Sequence, residues 1–171
     1  EITASDQEDS DSRPNNYNGS NPVEDDEASA TVVMNCNCYL KVSSLTIMYE
    51  GLFGEVGELA DGKVINRDTL CRWNVRANLC QSPVGSVKFV LNGSVFRTEN
   101  TAPYALYGDQ PIGSYLPWIP NPGNYTLTAT AYSGSGGSGT PGTSYTVRFT
   151  VLQGETNTAC LAPPIIDCAG K

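Results

Sequence analysis

Short stretches of alternating apolar and polar residues run through the sequence between residues 39 and 152. Residues 125–131 alternate aromatic or aliphatic side chains with threonines, and residues 145–151 repeat the pattern. Strand side chains point to opposite faces in turn, so a period of two is typical of an antiparallel sheet with one buried face. Strands are predicted at 39–49, 71–79, 86–93, 94–100, 125–133 and 144–152.

The turns between these stretches support an all-β fold. The chain has 17 glycines and 11 prolines, and "LNGS" at 91–94 places an Asn-Gly pair, a strong hairpin signal, between two predicted strands. The glycine-rich "GSGGSGTPG" at 134–142 precedes a strand and lacks the lysine of a phosphate-binding loop, so we interpret it as a connection. Six or seven strands in roughly 115 residues predict an immunoglobulin-like antiparallel β-sandwich with Trp73 and Phe89 in its core.

Residues 1–35 differ in composition from the rest. "EITAS" and "ASATVVM" are β-prone runs, and the stretch between them carries eight carboxylates. A two-stranded hairpin is marginal in water on its own, because it buries too little apolar surface. The sequence therefore predicts an N-terminal strand pair with an acidic loop at 1–35, which needs a sheet from elsewhere. The sandwich follows at 36–153 and a tail containing Cys and Pro at 154–171.

The acidic loop is the candidate metal site. Calcium takes several oxygen ligands in flexible geometry, and the loop offers such oxygens on Asp6, Asp9, Asp11, Asn15, Asn16, Asp25 and Asp26. Two other interpretations stay open. The loop is a solvated charge run, or it holds paired catalytic acids, for which a terminal loop is a poor support. Calcium is the expected cofactor, and its expected role is to stiffen a connection.

The cysteines indicate the compartment. Six of them occur without a CxxC pair in a chain that has no histidine: Cys36, Cys38, Cys71, Cys80, Cys160 and Cys168. Disulfides in an oxidising, extracellular setting are therefore favoured over a zinc site. Cys71 and Cys80 mark the two ends of one predicted strand, about 30 Å apart, so they cannot bond to each other.

Strand directions suggest the pairing. Cys36 or Cys38 is expected near Cys80, at the start of the first strand, and Cys160 or Cys168 is expected near Cys71. The two leftover cysteines would then be able to link successive subunits. The alternative is that Cys160 and Cys168 close a small loop around "LAPPIID".

Charge and composition exclude several classes of function. Ten basic and eighteen acidic residues give a net charge of -8 without a basic cluster, so nucleic acid is not an expected partner. The absence of histidine excludes Ser-His-Asp and Cys-His catalysis. Apolar runs are far shorter than the roughly 20 residues of a membrane span, and no basic-then-apolar leader opens the chain. We interpret the sequence as a mature, secreted, non-enzymatic protein of the cell surface.

Two parts of the chain resemble known families. "VGSVKFVLNGSVFRTENTAPYALYGD" and "GNYTLTATAYSGSGGSGTPGTSYTVRFTV" resemble an immunoglobulin-like repeat of very large secreted adhesins and of secreted enzymes in the Bacteroidota, over roughly residues 43–152. Residues 1–34 are similar to the end of a conserved extracellular β-sandwich repeat, whose last two strands bracket an acidic loop. The first resemblance implies a spacer or binding unit without known catalysis. The usual copies of that repeat lack the cysteines.

Two smaller motifs suit a surface protein. "DTL" at Asp68–Leu70 resembles the O-glycosylation signal of secreted Bacteroidota proteins, with Thr69 as the acceptor. Tyr107, Tyr115 and Trp118 crowd a loop rich in Pro and Gly, and such rings can stack on sugars. They imply a carbohydrate-binding module with surface glycans as partners. The alternative is that the aromatic side chains pin the loop to the sandwich.

The N-terminal strand pair carries the functional hypothesis. Strands without a sheet of their own are expected to pair with an exposed edge, in the same molecule or in a neighbour. Repeated head to tail, pairing between neighbours builds an open filament. The favoured function is a structural subunit of a bacterial surface filament, or a segment of a large adhesin, and a carbohydrate-binding module of a secreted multidomain protein is the alternative.

Overall fold

A computed structural model describes residues 38–52, 54–156 and 160. The chain divides into two units, Glu1–Cys36 and Asn37–Lys171, and all described residues belong to the second. The predicted strand pair and acidic loop at 1–35 therefore lie outside the described residues, as do Cys36 and Cys168.

Eight strands form two sheets in the described part of the chain. The first sheet has the order β2-β1-β4 and contains β1 (Val42–Tyr49), β2 (Glu55–Glu58) and β4 (Trp73–Leu79). The second has the order β3-β8-β7-β5-β6 and contains β3 (Lys63–Asn66), β5 (Ser86–Leu91), β6 (Ser94–Glu99), β7 (Gly123–Tyr132) and β8 (Tyr145–Leu152). The fold is the all-β sandwich that the alternating pattern predicts.

The core lies between the two sheets. Trp73 on β4 and Phe89 on β5 are both fully buried, which confirms the sequence-based expectation. The apolar positions of β7 and β8 face the same interior, where Leu127, Ala129, Val147 and Phe149 are buried. Burial of apolar surface on this scale is the main force that holds the two sheets together.

The Asn-Gly pair makes the predicted hairpin between β5 and β6. Asn92 and Gly93 both have positive φ, 50° and 83°, the left-handed backbone that favours these two residue types. The Asn92 side chain also accepts a hydrogen bond of 2.8 Å from the Thr126 backbone N–H on β7. The turn is thereby tied to the middle of the second sheet.

β2 and β3 are absent from the sequence-based prediction. Each has four residues and each is largely exposed, so neither is long enough to show a period of two. β3 also pairs with β8 in parallel, from Lys63 opposite Phe149 to Asn66 opposite Leu152. The sandwich is therefore antiparallel except at this edge, where the chain crosses from the first sheet to the second.

Candidate interaction site

Two disulfides clamp the opposite ends of β4. Cys38, which precedes β1, bonds to Cys80 just after β4, with the Cα atoms 5.2 Å apart. Cys160, which follows β8, bonds to Cys71 just before β4, with the Cα atoms 4.9 Å apart. These are the pairings that the strand directions suggest, and the alternative, a local bond between Cys160 and Cys168, is wrong because Cys160 is bonded to Cys71.

The segment that leaves β8 is held at a second point. The Asp68 carboxylate accepts hydrogen bonds from the backbone N–H groups of Glu155, at 2.7 Å, and Thr156, at 2.9 Å, and from the Thr156 hydroxyl. Arg67 also donates to the Cys160 sulfur at 3.3 Å. The turn after β3 therefore holds Glu155, Thr156 and the Cys160 sulfur.

A groove of about 280 Å³ runs between the edges of the two sheets, beside β2 and β3. We call it the edge groove, and Tyr49, Val56, Val64, Ile65, Thr69 and Leu70 are among the residues that line it. Its rim is apolar and exposed: Tyr49 is 43% accessible, Val56 38% and Val64 57%. β2 and β3 each end a sheet, and within residues 38–52 and 54–156 no bridge is made to their outer edges.

A charged pair crosses the outer face of the first sheet near this edge. Arg76 on β4 donates to Glu55 on β2 at 2.5 Å and to Asn78 at 2.9 Å. Burial alone would lower the pKa of Arg76, but hydrogen bonds to Glu55 and Tyr115 raise it on balance. The guanidinium therefore stays charged at any pH the protein meets and anchors β2 to the sheet.

Two of the three aromatic residues proposed for sugar binding are packed into the molecule. Trp118 is only 6% accessible, and its ring lies 4.8 Å from Trp73 and 5.8 Å from Tyr125, measured between centroids. Tyr115 is buried with Met48 and Ala105 on the outer face of the first sheet, and this burial raises the pKa of its hydroxyl. Of the three predicted residues, only Tyr107 is exposed, beside Phe96.

The same loop closes the outer edge of β4 with backbone hydrogen bonds. Leu106 N–H donates to Val75 at 2.8 Å, Ala77 N–H donates to Tyr104 at 2.9 Å, and Trp73 and Trp118 exchange bonds of 3.2 and 2.6 Å. An open sheet edge exposes unpaired backbone groups. At the edge of β4 the loop pairs these groups, as a neighbouring strand would. β4 is consequently held on both sides, by β1 and by this loop.

Asn74 on β4 is the residue on which the loop depends, and no sequence pattern pointed to it. Its side chain is fully buried. The amide nitrogen donates to the carbonyls of Gly108 at 2.9 Å and Leu116 at 2.8 Å, and the oxygen accepts from the N–H groups of Val75 and Tyr107. All four hydrogen-bonding positions of the amide are used, so this side chain fixes the loop against β4.

Thr69, the predicted glycosylation acceptor, is exposed in the turn after β3. Its hydroxyl donates to the Asn66 carbonyl at 3.0 Å, and its side chain borders the edge groove. The neighbouring Asp68 holds the segment at 155–156. The "DTL" motif thus has a structural role through Asp68, and glycosylation of Thr69 stays a prediction.

The candidate calcium ligands lie outside the described residues. They are Asp6, Asp9, Asp11, Asn15, Asn16, Asp25 and Asp26. In the part of the chain that the structure covers, no group of three or more Cys, Asp or Glu side chains is placed to hold a metal ion. The same part contains no helix with the length and hydropathy needed to cross a membrane.

No protein-family model matches the sequence, and no curated protein matches it. Among solved structures, the chain is similar to the fibronectin(III)-like modules of CbhA from Clostridium thermocellum. The sequence identity is 21%, the match covers 56% of this chain and 92% of that chain, and the TM-score is 0.39. The resemblance to Bacteroidota adhesin repeats stays a prediction.

Proposed function

We propose that the protein is a non-enzymatic structural module that works outside the cell, as a subunit of a bacterial surface filament or a segment of a large adhesin. The edge groove carries this proposal. It combines two short edge strands with exposed apolar side chains on both of them. An edge of this kind is a template for an added strand, with backbone hydrogen bonds for affinity and side-chain pockets for register.

The proposed occupant is the β-prone segment at 28–34 of a second copy. Its sequence, "ASATVVM", supplies small and apolar side chains of the kind that fit beside Tyr49, Val56 and Val64. A strand contributed by each copy to the next is a heterologous contact, and such contacts build open filaments. Two disulfides in the receiving module are compatible with an extracellular location.

Self-association of the full chain tests the proposal. The variant Val64→Lys places a charge on the rim of the edge groove, where it should prevent an apolar strand from docking. Val95→Lys is the matched control, because Val95 is an equally exposed valine, 65% accessible, on β6 at the opposite edge of the second sheet. In sedimentation velocity over a concentration series, the wild type and Val95→Lys should form chains of increasing size, and Val64→Lys should stay monomeric.

A mixed-isotope crosslinking experiment separates pairing within one copy from pairing between copies. Carbodiimide coupling joins carboxylates to amines at zero length, and Lys63 lies at the groove beside Val64. In an equal mixture of light and heavy protein, bonds from Asp25, Asp26 or Glu27 to Lys63 should join light to heavy chains about half of the time. Crosslinks found only within single chains, or a monomeric wild type at all concentrations, would refute assembly between copies.

Glycosylation of Thr69 would block strand docking in the edge groove. Because Thr69 borders the groove, a glycan on its hydroxyl would occupy the space that a docked strand needs. Glycosylated and strand-paired states of one module are therefore mutually exclusive in this proposal. A glycosylated preparation should show the monomeric behaviour of Val64→Lys, which sedimentation of the purified glycoform would measure.

A further inference from the structure

The two disulfides overlap along the chain, and the overlap is β4. The bond between Cys38 and Cys80 spans 42 residues and the bond between Cys71 and Cys160 spans 89. The four cysteines occur in the order Cys38, Cys71, Cys80 and Cys160, so each bond has one of its two cysteines inside the segment that the other bond closes. Residues 71–80, which include all of β4, are the only residues that both bonds enclose.

This arrangement creates a short covalent route across the sandwich. From Cys38 it passes through the first disulfide to Cys80, back along β4 to Cys71, and through the second disulfide to Cys160. Nine residue steps separate Cys71 from Cys80, which is about 31 Å of fully extended chain. The ordinary backbone route from Cys38 to Cys160 has 122 steps, which is about 415 Å when extended.

The short route has almost no slack. β4 is already a strand, and a strand rises about 3.3 Å per residue, close to the limit of about 3.4 Å for extended chain. It is also held sideways, since β1 pairs with it along seven residues and the loop bridges to it at Trp73 and Arg76. Pulling on this route therefore stretches a segment that cannot lengthen further.

We propose that the sandwich is a tension-bearing link, in which β4 and the two disulfides form an inextensible covalent strap. A pull applied to the chain on the two sides of Cys38 and Cys160 passes along the strap. β1, β2 and β3 lie outside this route, between Cys38 and Cys71, and β5 to β8 lie outside it, between Cys80 and Cys160. The pull cannot peel these strands from the ends of the sandwich, and the module keeps its length even where its hydrogen bonds are overcome.

The strap goes beyond the proposed assembly and does not depend on it. A single module has this property whether or not it pairs with another copy, and assembly through the edge groove does not need the strap. Failure of one proposal therefore leaves the other in place.

Single-molecule force extension of the full chain, held by a handle at each end, tests the strap. All proteins carry Cys36→Ser and Cys168→Ser, because a bond between those two residues would also shorten the route. The measured quantity is the contour length of the 38–160 region under high force, which equals the length of its shortest covalent route. With both disulfides formed, this region should contribute only about 40 Å, the strap and its two bridges.

Removal of each disulfide gives a different predicted length. Cys38→Ser with Cys80→Ser leaves a route of 33 residues from Cys38 to Cys71, or about 110 Å. Cys71→Ser with Cys160→Ser leaves a route of 80 residues from Cys80 to Cys160, or about 270 Å. Reduction of the parent protein with a thiol should give the full contour length of about 415 Å.

These lengths remain diagnostic when a variant fails to fold, because an unfolded chain with one disulfide has the same covalent route. A contour length of about 110 Å or more for this region in the oxidised parent protein would overturn the proposal. So would equal lengths for the two disulfide variants. The predicted series of four lengths, in the stated order, would support it.

Discussion

At the scale of single residues, the packing of the loop at 104–118 depends on one buried amide. Asn74 supplies two donors and one shared acceptor to backbone groups of that loop and of β4. A buried polar group without its partner costs about 1–3 kcal/mol. Replacement of Asn74 would therefore lower the free energy of unfolding through several buried backbone groups at once. The adjacent Trp73 and Val75 are core residues whose replacement would leave cavities.

The variant Asn74→Asp tests this role with almost no change of shape. The carboxylate cannot donate to the carbonyls of Gly108 and Leu116, and it would place negative charge against them. We expect the free energy of unfolding at neutral pH to fall by about 2–4 kcal/mol. Denaturant titration measures this loss, and hydrogen exchange should rise at the Leu116 N–H, which donates to the Gly108 carbonyl within the loop.

Asn78→Asp is the matched control on the same strand. Its amide donates to the hydroxyls of Ser44 and Thr46 and accepts from Arg76. The hydroxyls of Ser44 and Thr46 can turn to donate to the new carboxylate, and its negative charge strengthens the hydrogen bond from Arg76. The free energy of unfolding should therefore change by less than about 1 kcal/mol. Equal losses for the two variants would show that Asn74 has no special role.

The core could be predicted from the sequence at this scale, whereas Asn74 could not. Trp73 and Phe89 occupy apolar positions in an alternating pattern, and that pattern alone marks the buried face. Asn74 occupies a polar position of the same pattern, which predicts an exposed side chain. It is buried because a loop more than 30 residues away in sequence folds over it, and no local period records such a contact.

At the scale of elements, the loop at 104–118 takes the place of an edge strand beside β4. Trp118 faces the interior and Tyr115 the outer face of the first sheet, so both side chains stabilise the loop by packing. Composition alone does not distinguish these two roles, because rings that stack on sugars and rings that pin a loop have the same sequence signature.

Two single-residue variants separate the roles of the aromatic residues. Trp118→Ala removes a buried indole that contacts Trp73, Tyr125 and Phe149, and should lower the free energy of unfolding by about 3–5 kcal/mol. Tyr107→Ala, at the exposed end of the same loop, should cost less than about 1 kcal/mol. Thermal and denaturant unfolding measure both, and similar small losses would contradict the packing role of Trp118.

The sheet edges are the elements that the sequence did not predict. β2 and β3 are too short to show alternation, and β3 forms only by pairing in parallel with β8, 86 residues later. Their position nevertheless decides where a strand could be added. The missed elements are thus the ones that form the candidate interaction site, since edge strands are exposed and have few apolar residues to mark them.

At the scale of the whole molecule, the acidic residues are unevenly distributed. Of the 18 carboxylates, nine belong to residues 1–35, and the net charge of the chain is -8. Carboxylates at such density repel one another unless a cation neutralises them. Calcium is the cation expected from their spacing, and its binding stays a prediction.

Calcium titration of the full chain by calorimetry tests that expectation. Asp25→Asn removes one predicted ligand and should weaken calcium binding at least tenfold, about 1.4 kcal/mol. Glu58→Gln removes one exposed carboxylate from β2 and should leave the affinity unchanged. High ionic strength screens the non-specific attraction of calcium to the negatively charged chain. If both variants weaken calcium binding equally, the binding depends on net charge and not on Asp25 as a ligand.

The covalent strap also determines what a protease can achieve. A cut after Lys63 or after Lys88 opens the backbone, but Cys38 remains joined to Cys160 through the two disulfides. A cut between Cys71 and Cys80, at Arg72 or Arg76, opens the strap itself but leaves Cys38 and Cys71 on one fragment and Cys80 and Cys160 on the other, so both disulfides then join the two fragments. No single cut between Cys38 and Cys160 separates the two ends of the module. A nicked module should therefore migrate as a single species on a gel until its disulfides are reduced, and a surface structure built from such modules would survive cleavage without coming apart.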